Sequence, residues 1–77
     1  MIKIYTTSNC PFCKLAKEFL TKYGFTYEEI NVEENENGFY EMVQKSGQFG
    51  VPVIDVDGEI IIGFDRKRLK EVLKIEE

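Results

Sequence analysis

The feature that most constrains this chain is a change of hydrophobic period near its start. Ile2, Ile4 and the residues between them alternate as a strand does, with Ile2 and Ile4 on one face and Lys3 and Tyr5 on the other, and the strand continues to Thr6. Thr7-Ser8-Asn9 makes a polar turn. From about Pro11 the apolar residues recur as Phe12, Leu15, Ala16, Phe19, Leu20 and Tyr23, the spacing of a one-sided helix. Proline suits a first helical turn, where its missing N–H would have had no partner, and Gly24 suits the stop. A strand running straight into an amphipathic helix buries its apolar faces only by folding the helix back across a sheet.

The rest of the chain extends that plan. Phe25 to Val32 reads as a second strand with one half-apolar face, as an edge strand has. A second helix is expected over Glu36 to Ser46, with Phe39, Met42 and Val43 inward and Gly47 ending it. Val51-Pro52-Val53-Ile54 opens a third strand. Asp57-Gly58 is a type I′ hairpin signal, and Glu59 to Ile62 returns antiparallel. Asp65 caps a last helix with Leu69, Val72 and Leu73 on one face. The order is β-α-β-α-β-β-α. The fold class is α/β: a right-handed βαβ crossover plus a hairpin gives a four-stranded mixed sheet with helices on both sides, a single domain over residues 1–77.

Composition removes several chemistries. Histidine is absent, which excludes Ser-His-Asp catalysis, Cys-His proteolysis and every histidine-ligated metal site. A net charge of −4 opposes broad nucleic-acid binding. No leader pattern or membrane-length apolar run is visible, so a soluble, cytoplasmic protein is expected. The two cysteines, Cys10 and Cys13, are too few for the framework of a secreted domain. Closing so short a loop contributes only roughly 2 kcal/mol. The pair therefore reads as chemistry before stability.

Its spacing fits that chemistry. Residues i and i+3 of a helix lie about 5–6 Å apart, and a disulfide wants Cα atoms about 4.4–6.8 Å apart. The bond can form and open with little backbone movement. Cys10 stands at the helix N-terminus, where unpaired N–H groups favour a thiolate, so it is the expected nucleophile. Cys13, deeper on the apolar flank, is expected to resolve the mixed disulfide. Lys14 is a candidate to add positive charge.

Cys10-Pro11-Phe12-Cys13, placed between a first strand and a first helix, resembles the glutaredoxin family, which commonly has Cys-Pro-Tyr-Cys. Gly50-Val51-Pro52-Val53 is similar to its Thr-Val-Pro segment, and Ile62-Gly63-Phe64-Asp65 to its Gly-Gly-x-Asp segment. The resemblance covers essentially the whole chain. It implies a thioredoxin-like fold, a cis Pro52 facing the cysteines, and a Val51 main chain that pairs with an extended peptide or glutathione. It implies substrate contacts at Val51, Pro52, Gly63, Phe64 and Asp65, no bound cofactor, and glutathione or thioredoxin reductase as electron donor. The partners implied are disulfide-containing proteins such as ribonucleotide reductase or peroxidases, with a monomer expected. Ile62 replaces the family's first glycine and Arg66 its second aspartate, and the run Ser46 to Val53 together with Gly63-Phe64 is similar to the NrdH-type redoxins, which thioredoxin reductase reduces. Arg66, Lys67, Arg68 and Lys70 form the one basic cluster. Arg66 or Lys67 is expected to meet an anion, either a glutathione carboxylate or an acidic partner surface. The alternative from another class is an iron–sulfur cluster or metal carrier using Cys10 across a dimer.

Overall fold

The computed structural model describes residues 1–76. Its elements are β1 (Ile2–Thr6), α1 (Pro11–Lys22), β2 (Glu28–Asn31), α2 (Glu36–Ser46), β3 (Val53–Val56), β4 (Glu59–Ile62) and α3 (Arg66–Leu73). The sheet order is β2-β1-β3-β4. β1 and β2 are parallel, while β1–β3 and β3–β4 are antiparallel. This is the expected α/β arrangement, with β2 at the edge.

Period-2 alternation assigns the two sheet faces. Ile2, Ile4, Ile54, Val56 and Ile61 meet Ala16, Phe19 and Leu20 of α1 and Leu69 of α3. Tyr5 and Val53 point the other way, onto Met42 of α2. At Asp57 and Gly58 the backbone turns through φ 50° and 97°, as a type I′ hairpin requires.

Three expectations change in detail. β2 begins at Glu28 rather than Phe25, because the preceding residues close α1. There Gly24 adopts φ 79°, the Gly24 N–H donates to Thr21 O (3.0 Å), and the Phe25 N–H donates to Leu20 O (2.9 Å). β3 begins at Val53, so Val51 and Pro52 form an approach to the strand and not its first rungs. In α1 the buried set is Cys13, Ala16, Phe19 and Leu20, whereas Phe12 is 61% exposed and Leu15 44%. Leu15 lies about 100° around the helix from Ala16, at the rim of the stripe. Phe12 is on the first turn, level with the approach to β3, and has a groove beneath it instead of a strand.

Strand direction positions the site. Tyr5 pairs with Val53, and Val53 with Ile62. The chain leaving β1, the chain entering β3 and the chain leaving β4 therefore meet at one end of the sheet. Cys10, Val51-Pro52 and Gly63-Phe64-Asp65 lie on those three segments.

Candidate active site

Cys10 is the N-cap of α1. Its backbone is extended (φ −134°, ψ 98°), and its Sγ accepts the Cys13 N–H at 3.1 Å. A cysteine has no oxygen to cap with, so here sulfur takes the role that Ser or Asp usually fills. Pro11 follows at N1, where it withholds no useful donor. The two cysteines form a disulfide with Cα atoms 5.2 Å apart, inside the range both for a helical i, i+3 pair and for an unforced S–S bond. Cys13 is buried and Cys10 half-buried. Cys10 is thus the more accessible of the two.

The loop before Cys10 is held from β2. The Ser8 N–H donates to Glu33 Oε1 (2.8 Å), and the Asn31 side-chain amide donates to Ser8 Oγ (3.1 Å). Below it, buried Thr6 donates to Glu29 Oε2 (2.8 Å), which also receives Lys17 Nζ (3.0 Å). These bonds sit Glu29 below the usual carboxylate range: burial acts against ionisation, but the Thr6 hydroxyl and the Lys17 ammonium outweigh it.

One hollow has both cysteines in its lining, and a second has Phe12, the residue between Pro11 and Cys13. The first, of about 660 Å³, is lined by Thr7, Ser8, Asn9, Cys10, Pro11, Cys13, Lys14 and Lys17. The other, of about 490 Å³, gathers Phe12, Val51, Pro52, Ile62, Gly63, Phe64, Asp65 and Arg66. Six of the residues singled out in the sequence, Val51, Pro52, Gly63, Phe64, Asp65 and Arg66, therefore stand together. Lys67 does not line this groove; it is exposed on α3. Phe12, assigned above to a core stripe, lines it instead. The signal for that was its place between the cysteines, on a helical turn with no strand opposite.

The Val51–Pro52 bond is cis. The Gly63 N–H donates to Pro52 O (2.8 Å), continuing the β3–β4 ladder by one rung and tying the two walls of the groove together. The Val51 N–H and C=O have no partner among the described residues. Asp65 is the N-cap of α3, accepting the Arg68 N–H at 3.0 Å, so one carboxylate oxygen serves the helix. The Arg66 guanidinium lies 5.9 Å from the centre of the Phe19 ring, and Arg68 pairs with Glu59 at 3.2 Å. Among the described residues no group of three or more His, Cys, Asp or Glu side chains is arranged to hold a metal ion, and the carrier alternative gains no support.

A half-exposed sulfur capping a helix, a buried sulfur one turn on, and a cis-proline wall beside them define a dithiol–disulfide oxidoreductase of thioredoxin fold. The glutaredoxin family model matches residues 2–61, and the chain belongs to that family. An uncharacterised glutaredoxin-like 8.6 kDa protein from the rubredoxin operon of Clostridium pasteurianum is 40% identical over 74 residues, covering 96% of this chain and 99% of that one. The glutaredoxin-like protein NrdH of Lactococcus lactis is 32% identical over 72 residues, covering 94% and 99% of the two chains. The crystal structure of a glutaredoxin from Archaeoglobus fulgidus matches with a TM-score of 0.86 at 29% identity, over 95% of this chain and 85% of that one. Like its family, this chain exchanges thiols and disulfides through Cys10 and Cys13, acting on disulfide clients and restored by a reductase system.

Proposed function

We propose that residues 1–77 are one glutaredoxin-like domain that works in the cytoplasm as a monomer, reduces protein disulfides, and is itself restored by thioredoxin reductase rather than by glutathione. The observation that carries this reading is the groove lined by Phe12, two residues after Cys10. Ile62, 54% exposed, stands on its wall where glutathione-using relatives have glycine, and Phe12 faces it from α1. Ile62 and Phe12 therefore put apolar bulk where a small charged tripeptide would need room, and Asp65 and Arg66 are the charged residues of the lining. The same groove offers an unpaired Val51 main chain, to which an extended polypeptide adds as a strand. The resemblance to NrdH-type redoxins favours the same donor.

The chemistry balances as two thiol exchanges. The Cys10 thiolate attacks one sulfur of the client disulfide, forming a Cys10–client mixed disulfide and releasing the other client sulfur as a thiolate, which takes up a proton. The Cys13 N–H that points at Cys10 Sγ, and the helix N-terminus behind it, stabilise that attacking charge. Cys13 then loses its proton and attacks the Cys10 sulfur. The Cys10–Cys13 bond forms and the second client thiol leaves. Two electrons and two protons have passed to the client, and thioredoxin reductase returns them from NADPH. Arg66 on the groove wall is the proposed contact for an acidic partner surface, with Lys67 beyond the groove adding charge at longer range.

The donor test decides the reductant. Oxidised protein is mixed with NADPH and either thioredoxin reductase or glutathione with its reductase. NADPH consumption at least tenfold faster with thioredoxin reductase is expected, and the reverse order would sink the proposal. Cys13→Ser should stop the cycle at the mixed disulfide, visible as a covalent adduct by mass spectrometry.

A further inference from the structure

Next to the proposed binding edge lies a segment that the two thiol exchanges do not use. α2 ends at Gly47, in the left-handed region at φ 72°. The Gln48 carboxamide then closes on Gly50 from both sides: the Gly50 N–H donates to Oε1 (2.7 Å), and Nε2 donates to Gly50 O (3.0 Å). A Cβ on Gly50 would stand 2.9 Å from Gln48 Oε1, so a side chain here would push the carboxamide out of the clamp. Ser46 Oγ anchors the base of the segment on Met42 O (2.7 Å).

The clamp has two consequences. It consumes both main-chain groups of Gly50, so the free edge opens at Val51 and a partner strand has one place to begin pairing. It also leaves Phe49 between two tied residues with its ring outward. Phe49 is 73% exposed, with one face stacked on Phe39 (centroids 6.1 Å apart, 16° between planes). Tyr40, also exposed, meets the other end of Phe39 edge-on at 6.0 Å. Burying a phenylalanine is favourable, and the fold leaves most of that gain unused at a residue it holds in place through its neighbours. Phe49 stands two residues before Val51, at most about 7 Å along the chain.

We infer that Phe49, presented by the Gln48 clamp and backed by Phe39, is a second contact for polypeptide clients: it receives an apolar side chain about two residues from the client's reacting cysteine. The occupant is an extended protein segment. A small disulfide has no chain that spans the distance, so this contact separates protein clients from small ones. The inference rests on the reading of Val51 as the edge that takes the client strand.

The test uses short peptides with a central cysteine held as a mixed disulfide with mercaptoethanol. They carry either leucine or serine two residues from the cysteine on both sides. The same mixed disulfide of blocked cysteine, with no chain on either side, is the reference. For each protein variant, kcat/KM is divided by that variant's own value on the reference. Wild-type protein is expected to favour the leucine peptide about tenfold, which corresponds to about 1.4 kcal/mol. Phe49→Ser should bring the preference close to one, and Phe49→Leu should keep most of it. Equal rates on the two peptides in wild type, or a preference that survives in Phe49→Ser, overturns the inference. Should both peptides react faster than blocked cysteine but equally, only the Phe49 contact fails. Should neither exceed blocked cysteine, the Val51 edge fails and takes the contact with it. A wild type that elutes as a dimer while Phe49→Ser elutes as a monomer also overturns the inference, because the ring then covers a second copy of the chain.

Discussion

The two faces of the sheet are held by different physics. Under α1 and α3 the core is apolar, from Ile2, Ile4, Ile54, Val56 and Ile61 to Ala16, Phe19, Leu20 and Leu69, with the Thr6–Glu29–Lys17 bonds at its margin. Under α2 the central side chain is Tyr5, fully buried with a polar tip. That tip must be satisfied. The Tyr5 hydroxyl donates to Glu41, and Lys45 Nζ reaches Tyr5 Oη (2.9 Å), Glu41 (3.1 Å) and Asp55 (2.7 Å), while Lys3 closes on Glu41 at 3.4 Å. The first face is fixed by shape and tolerates sliding until volumes clash. The second is fixed by directional bonds that exist in one rotation of α2 about its axis. Because α2 leads into the Gln48 clamp and Val51, that rotation also sets where the binding edge begins.

The comparison can be broken in order of expected effect. Leu20→Ala on the apolar face should cost about 3 kcal/mol, lowering Tm by roughly 10–20 °C in a circular-dichroism melt. Lys45→Met on the polar face leaves Glu41 and Asp55 without their shared cation. Removing one partner of a fully buried pair costs about 3–5 kcal/mol; Lys45 and Asp55 side chains are 28% and 11% exposed, so a loss nearer 1–2 kcal/mol is expected. Lys45→Met with Asp55→Asn should regain part of it, because the stranded charge is gone. If Lys45→Met proves costlier than Leu20→Ala, the faces have been ranked wrongly.

The smallest effect is a pH dependence in which two carboxylates of the second face join Glu29 of the first. The Tyr5 hydroxyl, and then Lys45, hold the Glu41 carboxyl down at about 2. Asp55 also lies below its ordinary value: burial opposes ionisation, but Lys45 and the Gly58 N–H prevail. Both groups bind a proton more readily when unfolded. Their contribution is therefore full above the unfolded pKa, about 4, and is lost as pH falls through that value toward the folded one. Tm should drop between about pH 5 and pH 2.5, and Glu41→Gln should flatten the drop by less than about 1 kcal/mol, since that side chain is 40% exposed. An unchanged slope in Glu41→Gln would place the acid sensitivity elsewhere.

Much of this was legible in the residues. α2 and β4 fall on the residues expected, because caps and turns are local: Asn35 accepts the Gly38 N–H (2.9 Å), Gly47 supplies the left-handed stop, and Asp57-Gly58 folds the hairpin. The cysteine pair was legible because an i, i+3 spacing at a helix start fixes its geometry within one turn. Phe12 was misplaced because helical period reports the direction of a side chain but not whether anything lies opposite at that level. The i, i+4 pair Glu41 and Lys45 is local to α2, but the cluster as a whole was missed because Tyr5 lies 36 residues from Glu41 and Asp55 ten from Lys45, and nothing near that pair announces either partner. Lys67 was grouped with Arg66 by adjacency, yet neighbouring helical residues point about 100° apart.

Order of elements, chain reversals, the three helical apolar stripes and the reactive pair were therefore settled by the amino-acid string, since each depends on contacts within a few residues. Strand register was not. It alone carries Val51-Pro52 and Gly63 to Arg66 to the mouth of α1, turns Phe12 into a groove wall, and gathers four polar groups under α2. Those outcomes depend on how far along one element another stops, a distance that only long-range packing defines.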